Sequence, residues 1–501
     1  MHKYTAIFHA NLNYAFLEEE KYEQVIRASY ETIIDVFRDK CPNARYTFEA
    51  SGFTIEQMAE KTPDVLEKLK AAIASGQCEF MGAPHSHPIM ANIPEEDGRW
   101  SCEFAQRTYE KILGFRAESF WNPECTWMQY VPTAFRDAGV KYLTLDFESY
   151  MTCNDKDYSW IERNRTRDIG WGGHLPVYDL DSNCKFLHQP FRDVVPGMDG
   201  FCRSDRLVGQ YVKYFIDGLP LEEYIENVKK WTPSDGKGAT IIIADDAEYC
   251  GTTGYFFVKH YQDYSRSFSI REDAAEKLEK LVNGIMEIGE MVTFKEACEL
   301  EPVEEPFYVE DRFAWHKTYA DAWAGTPEAK TYDPMLAEIR HDYKVNVQPI
   351  VESKEYAEQF KTLVEKYWFH ITSAANSDGR WPPPPALTCP FNREWVENQI
   401  ELTRASLAAL KQAIAGQPLP EPVTEEEADN DWTYGLKFTE KDVFDIKKLN
   451  IYELQHAMYF ANKRIDSKNA EKKQEGLDLL VRIYDEWKRR GVDSVLPNSI
   501  K

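Results

Sequence analysis

Acidic and histidine side chains stand at the ends of several apolar, β-rich runs in the first half of the chain. Such runs end at His9, with Asn11 close behind, at Glu124 in WNPE, and at Asp246 in IIIADDAEY. Burying one of these groups beside an apolar strand is costly unless partners or a ligand compensate, so a ring of them indicates a functional site. A glycosidase needs one carboxylate that attacks or shields the anomeric carbon and another that protonates the leaving oxygen. We therefore predict carboxylate chemistry by Glu124 and Asp246.

The surroundings of Glu124 suit a carboxyl group in a sugar-binding site. Trp121 and Trp127 flank it in the sequence. Their flat rings offer a surface for stacking a sugar, and their apolar surroundings can tune the pKa of a carboxyl group. If the reaction retains the anomeric configuration, the carboxyl groups of Glu124 and Asp246 should lie about 5 Å apart. We predict Trp121 as a substrate contact.

Other carboxylates near the same strand ends have alternative explanations. Asp245 directly precedes Asp246, and the sequence leaves open which of the two is the acid. Glu49 and Asp146 also lie in or after strand candidates, but each could instead cap a following helix or pair with an arginine. We therefore assign no function to Glu49 or Asp146 from the sequence.

Two histidines in GAPHSHP raise the question of a metal. The spacing of His85 and His87 permits metal binding if the fold brings His9 or Asp245 close, as in a metal-dependent deacetylase. Hydrogen bonds to sugar hydroxyls or to the main chain explain the same residues. We predict neither a metal nor another cofactor.

Composition limits the class of partner. The 501 residues carry a net charge of −25 with a pI near 5.0, which would repel a phosphate backbone and argues against a nucleic-acid partner. Aromatic residues make up 14% of the chain and suit carbohydrate surfaces. The ten cysteines form no C-x-x-C pair, and no apolar run reaches about 18 residues. We expect a cytoplasmic protein with reduced thiols and no membrane contact; the oligomeric state is not predicted.

The first 300 residues alternate strand candidates with helical patterns, which is typical of a parallel sheet wrapped by helices. An open doubly wound sheet would fit, but seven or eight units favour a barrel with its active site at the carboxyl ends of the strands. Strands are predicted at 4–9, 45–50, 78–82, 118–122, 141–146, 185–189, 239–245 and 291–294, and helices near 97–113, 131–139, 221–231 and 271–289.

The pattern changes after residue 300 to helices and loops. We predict the fold class as α/β, an incomplete (β/α)7 barrel with a C-terminal mainly helical region. The predicted domains are a catalytic barrel at 1–300, a helical region at 301–416 that completes the active site, and an acidic linker with C-terminal helices at 417–501.

In their order and combination, these motifs resemble glycoside hydrolase family 57, whose α-amylase-like, 4-α-glucanotransferase and branching enzymes use a seven-stranded βα barrel. FHANLNYAF resembles the first family segment, which places a histidine at the sugar site, here His9. The run from FEASGF to APHSHPI resembles the second, which implies that Glu79 and His87 contact sugar. WNPE resembles W-x-x-E, whose glutamate is the nucleophile, and this implies that role for Glu124.

Two further segments complete the resemblance. ADDAEYCG resembles H-D-D-G-E-x-x-G, which implies that Asp246 is the acid/base and that Glu248 binds substrate. ANSDGRWPPPP resembles the segment that closes over the sugar, which implies Asp378 and Trp381 as binding residues. The chain departs from the family pattern in two places, since the first segment lacks H-Q-P and the fourth has Ala244 and Ala247 where His and Gly are usual.

The resemblance implies a retaining enzyme that acts on α-glucans, by hydrolysis or by transfer, through double displacement. Its partner would be an oligo- or polysaccharide. Two alternatives remain at this stage: a metal-dependent carbohydrate deacetylase or α-mannosidase-like enzyme on a related barrel, and a noncatalytic glucan-binding protein.

Overall fold

A nine-stranded sheet forms the centre of the protein. The computed structural model describes residues 1–14, 17–154, 181–261, 263–315, 318–324, 326–380, 393–415, 446–448, 461 and 470–489. The strands are β1 Lys3–Ala10, β2 Tyr46–Ser51, β3 Cys78–Ala83, β4 Ser119–Phe120, β5 Tyr142–Asp146, β6 Phe191–Val195, β7 Met198–Arg203, β8 Ala239–Asp246 and β9 Glu290–Val292. A short hairpin, β10 Phe313–Ala314 with β11 Thr318–Tyr319, lies outside this sheet.

The sheet curls into an incomplete barrel. Its strands follow the order β6-β7-β5-β4-β3-β2-β1-β8, while β9 pairs with the start of β1. Every ladder is parallel except β6 with β7, so seven parallel strands run from β8 round to β7. Between the described residues of β7 and β8 there is no ladder, and the barrel stays open there. This confirms the predicted incomplete (β/α)7 fold.

Helices cover the outside of the barrel and follow it in the chain. They are α1 Tyr22–Val25, which continues through a π-helical turn at Ile26–Glu31 into α2 Thr32–Asp39, α3 Gly52–Lys61, α4 Pro63–Ala74, α5 Glu95–Leu113, α6 Tyr130–Asp137, α7 Phe147–Asn154, α8 Lys185–His188, α9 Asp205–Val212, α10 Leu221–Lys230, α11 Glu248–Gly251, α12 Phe256–Tyr261, α13 Ala274–Met286 and α14 Phe294–Cys298. Beyond the barrel lie α15 Asp321–Ala324, α16 Pro327–Asn346, α17 Gln348–Val351, α18 Ala357–Ser373, α19 Arg393–Ala413 and α20 Ala470–Arg489. Among the described helices, none combines the length and apolarity needed to cross a bilayer.

Side-chain alternation along the strands separates two apolar cores. Ile7, Met81, Phe201 and Ala244 belong to a cluster inside the barrel, which α14 closes at the amino-terminal ends of the strands. Strand residues that alternate with these, such as Phe8, point outward and pack against the helices. The interior is therefore filled below the strand ends, and the carboxyl-terminal rim is the open end of the barrel where polar side chains can meet a ligand.

A third cluster joins the barrel to the helical region. Side chains of α16, α18 and α19 pack with Phe104 of α5. One face of α19 is apolar, and its residues Val396, Ile400 and Leu410 are buried in this cluster. The domain boundaries at 300 and 416 stay a prediction, and the acidic connector at 417–431 lies outside the described residues.

One strand prediction was wrong. The run 185–189 forms helix α8, and the parallel strand that follows β5 in the sheet is β7, which the sequence analysis missed. Its sequence MDGFCR carries Gly200, which weakens a strand pattern. A Cβ at Gly200 would lie 2.5 Å from the Leu145 side chain, so the close approach of β5 requires glycine there.

Two buried histidines at the amino-terminal end of the barrel should make stability depend on pH. His2 Nε2 and His188 Nδ1 lie 2.7 and 2.8 Å from Thr240 Oγ1. Burial lowers the pKa of His2 to about 4 and that of His188 to about 3. Between pH 6.5 and 4, His2 and His188 bind protons in the unfolded chain but stay neutral in the folded protein. The free energy of unfolding therefore decreases as the pH falls through this range.

His188→Asn, which can keep a hydrogen bond to Thr240 without titrating, should remove part of this dependence. The free energy of unfolding, measured by urea denaturation at pH 7.5 and at pH 5.0, reports this dependence. The wild-type protein is expected to lose roughly 2 kcal/mol more than the variant between the two pH values. Equal losses would show that His188 does not contribute.

Candidate active site

The carboxyl ends of β1, β2 and β8 bring three polar side chains into one row. The strand registers pair His9 with Glu49 on one side and with Asp246 on the other. His9 Nδ1 hydrogen-bonds to Glu49, and His9 Nε2 lies 3.9 Å from Asp246 Oδ1. Parallel register alone therefore places groups that are separated by more than 200 residues side by side at the rim.

Glu124 reaches the same rim from a strained turn after β4. It has φ 53° and the next residue, Cys125, has φ 48°, a left-handed conformation that is uncommon for residues other than glycine. Such strain costs about 1–3 kcal/mol per residue and persists where surrounding contacts enforce it, often at functional sites. Trp315, which follows β10, donates its indole N–H to Glu124 Oε2 at 2.6 Å.

His9 connects the two candidate catalytic carboxylates electrostatically. Its charge lowers the pKa of both Glu124 and Asp246 against the larger effect of burial. The Trp121 ring stacks on the His9 ring at 5.2 Å with an interplanar angle of 22°. Glu124, Asp246, His9 and Trp121 therefore belong to one site.

The two carboxyl groups have different surroundings. Burial and then the charge of Asp378 raise the pKa of Glu124 to about 8, while the Trp315 N–H opposes the shift. Burial and then the charge of Asp245 raise the pKa of Asp246 well above its ordinary value. Burial opposes protonation of His9, but the charge of Glu49 and then that of Asp246 outweigh it, so the pKa of His9 rises to about 10. Asp246 is thus a carboxyl group that keeps its proton at neutral pH, and Glu124 is a carboxyl group whose ionised form the Trp315 N–H stabilises.

The loop after β1 is tied to two other segments by Asn11. Its backbone N–H donates to Glu248 Oε1 at 2.8 Å, and its side-chain amide donates to Asp378 Oδ2 at 2.8 Å. Glu248 also accepts from the Tyr30 hydroxyl and is fully buried. In this structure Glu248 therefore supports the loop that follows His9.

The helical region supplies one wall of the site through the turn after α18. Ser377 donates its backbone N–H to the His87 carbonyl at 3.1 Å, and Asn376 donates its amide to the Ser86 carbonyl at 2.8 Å. Asp378 begins the 3-10 turn Asp378–Arg380. Arg380 holds this turn in place through Asp333 and main-chain carbonyls. Asp378 consequently faces Asn11 across the barrel mouth.

Most of the predicted site residues lie together, with Glu79 as the exception. The rim contains His9, Asn11, His87, Trp121, Glu124, Asp246, Glu248 and Asp378. Asp245 is paired in register with outward-facing Phe8, and its Oδ1 accepts the backbone N–H of Asp246. The predicted contact Trp381 lies outside the described residues.

The expectation that Glu79 contacts sugar is wrong for this structure. Glu79, Met81 and Ala83 share one face of β3, and buried Met81 and Ala83 separate Glu79 from the rim. Glu79 instead accepts hydrogen bonds from the Lys295 backbone at 2.8 Å and the Thr47 hydroxyl at 3.2 Å, at the closed end of the barrel. Glu79 stands four residues before Ala83 on the same face of β3, so it lies about 13 Å further from the rim than Ala83 does.

Sequence reasoning overlooked two residues of the site. Glu49 stood at a strand end but was set aside as a helix cap; in the structure Ser51 caps α3 by accepting from the Thr54 backbone N–H. Trp315 belongs to no motif and reaches Glu124 only because the hairpin folds back over the barrel. The strand-end position of Glu49 was a usable signal, whereas nothing in the sequence marked Trp315.

Among the residues that the structure describes, two groups of side chains offer potential metal-ligand atoms within 4.8 Å of one another: His9 with Glu49 and His87, and Asp146 with Glu148 and Asp205. In the first group, two of the three potential metal ligands, His9 and Glu49, are already hydrogen-bonded to each other.

In the second group, the Arg203 guanidinium lies 2.8 Å from Asp205 and 3.2 Å from Asp146. It supplies positive charge among the three carboxylates. The positive charge of Arg203 therefore offsets part of the negative charge of this second group.

Comparisons with known proteins agree with this architecture. The family model described as "Glycosyl hydrolase family 57" matches residues 2–312. An α-amylase of Pyrococcus abyssi and a 4-α-glucanotransferase of Thermococcus litoralis are each 28% identical over 183 residues, which is 36% of this chain and 26% of each relative. The match therefore spans about a quarter of the length of these relatives.

A solved structure of similar size shares the fold. The GH57 branching enzyme of Thermococcus kodakaraensis superposes with a TM-score of 0.60 at 12% identity, covering 86% of this chain and 94% of that one.

Proposed function

This chain belongs to glycosyl hydrolase family 57, and on that premise we propose that it is a retaining glycoside hydrolase or glycosyltransferring enzyme acting on α-linked glucose polymers. Glu124 is the proposed nucleophile and Asp246 the proposed acid/base. His9, Asn11 and Trp121 are proposed substrate contacts, together with His87, Glu248, Asp378 and Trp381.

One observation supports this assignment above the others: Glu124 and Asp246 share the positive charge of His9 but differ in their remaining neighbours. Glu124 accepts the Trp315 N–H, which favours its ionised form, and has one carboxylate, Asp378, that opposes this effect. Asp246 lies beside two carboxylates, Asp245 and Glu248, whose negative charges favour its protonated form more strongly than a hydrogen bond from Tyr249 opposes it. Paired carboxylates whose environments separate their roles are what acid and nucleophile assignments require.

The proposed reaction is a double displacement. Glu124 attacks the anomeric carbon as the glycosidic C–O bond breaks, and Asp246 gives its proton to the departing oxygen. Asp246 then takes a proton from the acceptor, whose oxygen displaces Glu124 and restores the free carboxylate. Because Trp315 donates to Oε2 of Glu124, Oε1 is the oxygen available for attack.

Water as the acceptor gives hydrolysis, and a sugar hydroxyl gives transfer. The outcome depends on how well acceptor subsites exclude water. An activity screen on maltooligosaccharides, amylose and glycogen, with analysis of product length, linkage and anomeric configuration, tests the proposed function directly. Absence of glycosidic cleavage and transfer on all α-glucans would refute it.

We also propose a cytoplasmic location. The nine described cysteines form no disulfide, and seven of them are buried, as expected for a chain that folds in a reducing compartment.

Trp315→Phe should weaken the ionised form of Glu124. Loss of the indole N–H raises the pKa of Glu124 above about 8, so the rise of kcat/KM with increasing pH should move to higher pH. At pH 7 we expect kcat/KM to fall roughly 10- to 100-fold, as for a lost hydrogen bond to a charged group. The loss should shrink at pH 9, where more Glu124 is ionised. An unchanged pH profile would contradict the proposed role of this hydrogen bond.

A further inference from the structure

We infer that Glu49 is a positioning residue for the proposed glycosyl-transfer reaction: it fixes His9 as an imidazolium whose Nε2–H faces the gap between Glu124 and Asp246. This role depends on the proposed function and extends it to a side chain that never touches the substrate.

The contacts of Glu49 indicate that it acts on His9. It lies on β2 with its side chain fully buried, and its carboxylate is hydrogen-bonded to His9 Nδ1. In the part of the chain that the structure describes, the ion pair recorded for Glu49 is the one with His9. Ser51, not Glu49, caps the helix that follows β2. A fully buried carboxylate needs a compensating partner, and His9 is that partner.

The ring of His9 contacts two other rings. Trp121 stacks against it at 5.2 Å, and the His87 ring lies 4.8 Å away at an angle of 37°. With Nδ1 bound to Glu49, Nε2 points to Asp246 Oδ1 at 3.9 Å. This separation is too long for a direct hydrogen bond and leaves Nε2–H free for a substrate hydroxyl or a water.

The charge of His9 matters because acidic groups surround it from several elements. Glu49 faces it from β2, Asp246 and Glu248 from the end of β8 and the helix after it, and Glu124 from the turn after β4. Burial and then the charge of His9 hold the pKa of His87, after β3, well below its ordinary value, so His87 adds no positive charge beside His9. A fixed imidazolium offsets the repulsion among the carboxylates and lowers the pKa of Glu124, which increases the fraction ionised for attack. Without Glu49, His9 would lose both its orientation and its strongest counter-charge.

The chemical consequence is specific to the step that forms the glycosyl-enzyme bond. A neutral His9 would raise the pKa of Glu124 further and reduce its ionised fraction, and a protonated carboxyl group cannot attack the anomeric carbon. Removal of Glu49 should therefore lower kcat much more than it changes KM.

The test combines two Glu49 variants with a matched control. Glu49→Gln should lower kcat about 30- to 300-fold with KM within about threefold, and should move the rise of activity with pH to higher pH. Glu49→Asp keeps the charge and should recover part of kcat. The control is Glu56→Gln, which removes the carboxylate 3.3 Å from another buried histidine, His85, outside the row at the rim. It should leave kcat and the pH profile unchanged.

A measurement on the wild-type protein keeps the inference testable if a variant fails to fold. With ¹⁵N-labelled histidine, and the His9 signals identified by their loss in His9→Gln, both ring nitrogens of His9 should be protonated at pH 7.5. In Glu49→Gln the same signals should show a neutral ring. A neutral His9 in the wild-type protein would overturn the inference, as would Glu49→Gln with kcat within threefold of wild type.

Two other outcomes are distinguishable. One equivalent of tightly bound divalent metal, whose removal by a chelator is required before both ring nitrogens of His9 become protonated, would place an ion among His9, Glu49 and His87 and overturn the hydrogen-bonded pair. If the protein shows no activity on any α-glucan, the proposed function fails, while the protonation state of His9 still decides whether Glu49 holds the imidazolium.

Discussion

Glu124→Gln should lower kcat on α-glucans by at least about 1,000-fold, the largest loss expected of any single substitution in this protein. The amide has the same shape but cannot form the glycosyl-enzyme ester. The hydrogen bond from Trp315 to Oε2 can persist if the amide oxygen takes that position, so KM should change little. Steady-state kinetics on maltooligosaccharides measure both parameters.

A smaller variant of the same residue separates a lost nucleophile from lost folding. Glu124→Gly leaves space beside the anomeric carbon, so added azide should restore turnover and yield a glycosyl azide of inverted configuration. Glu118→Gln is the matched control, because Glu118 lies just before β4 and pairs with Lys141 and Lys295. It should keep wild-type activity. Glu124→Gln with activity within a few-fold of wild type would refute the assignment.

Asp246→Asn should produce the second largest loss, and the size of the loss should depend on the leaving group. The asparagine cannot protonate the departing oxygen, so kcat/KM on maltooligosaccharides should fall about 100- to 10,000-fold. An activated aryl glycoside, whose leaving group needs no proton, should be cleaved to the enzyme-linked intermediate almost as fast as by the wild-type enzyme. Azide should then accelerate release and give a product of retained configuration.

The pH profile supplies an independent readout for Asp246. Burial and then Asp245 raise the pKa of Asp246 well above its ordinary value. The protonated form is the active one, so wild-type activity should fall as the pH rises through this pKa, and Asp246→Asn should lose that decline on the aryl substrate. Asp245→Asn is the control. Leaving-group dependence in Asp245→Asn and its absence in Asp246→Asn would shift the assignment by one residue.

The order of elements was predictable because each signal is local. Apolar runs at 4–9, 45–50 and 239–245 correspond to β1, β2 and β8, and the helical pattern at 97–113 corresponds to α5. Strand β7 escaped prediction because Gly200 serves a tight contact with Leu145, and that contact exists only between two strands. The periodicity of apolar residues shows which face of a strand or helix is buried. A close contact between two strands produces no such periodic pattern in the sequence.

The sequence by itself determined the candidate nucleophile and acid/base, the strands that carry them and the family resemblance, since each of these resides in a short stretch of chain. Tertiary structure alone decided which side chains meet. Register placed Glu49 and Asp246 on either side of His9, alternation along β3 moved Glu79 to the closed end of the barrel, and a hairpin almost 200 residues away brought Trp315 to Glu124. The physical reason is that hydrogen-bond ladders and core packing fix distances between segments, and no local pattern of residues encodes those distances.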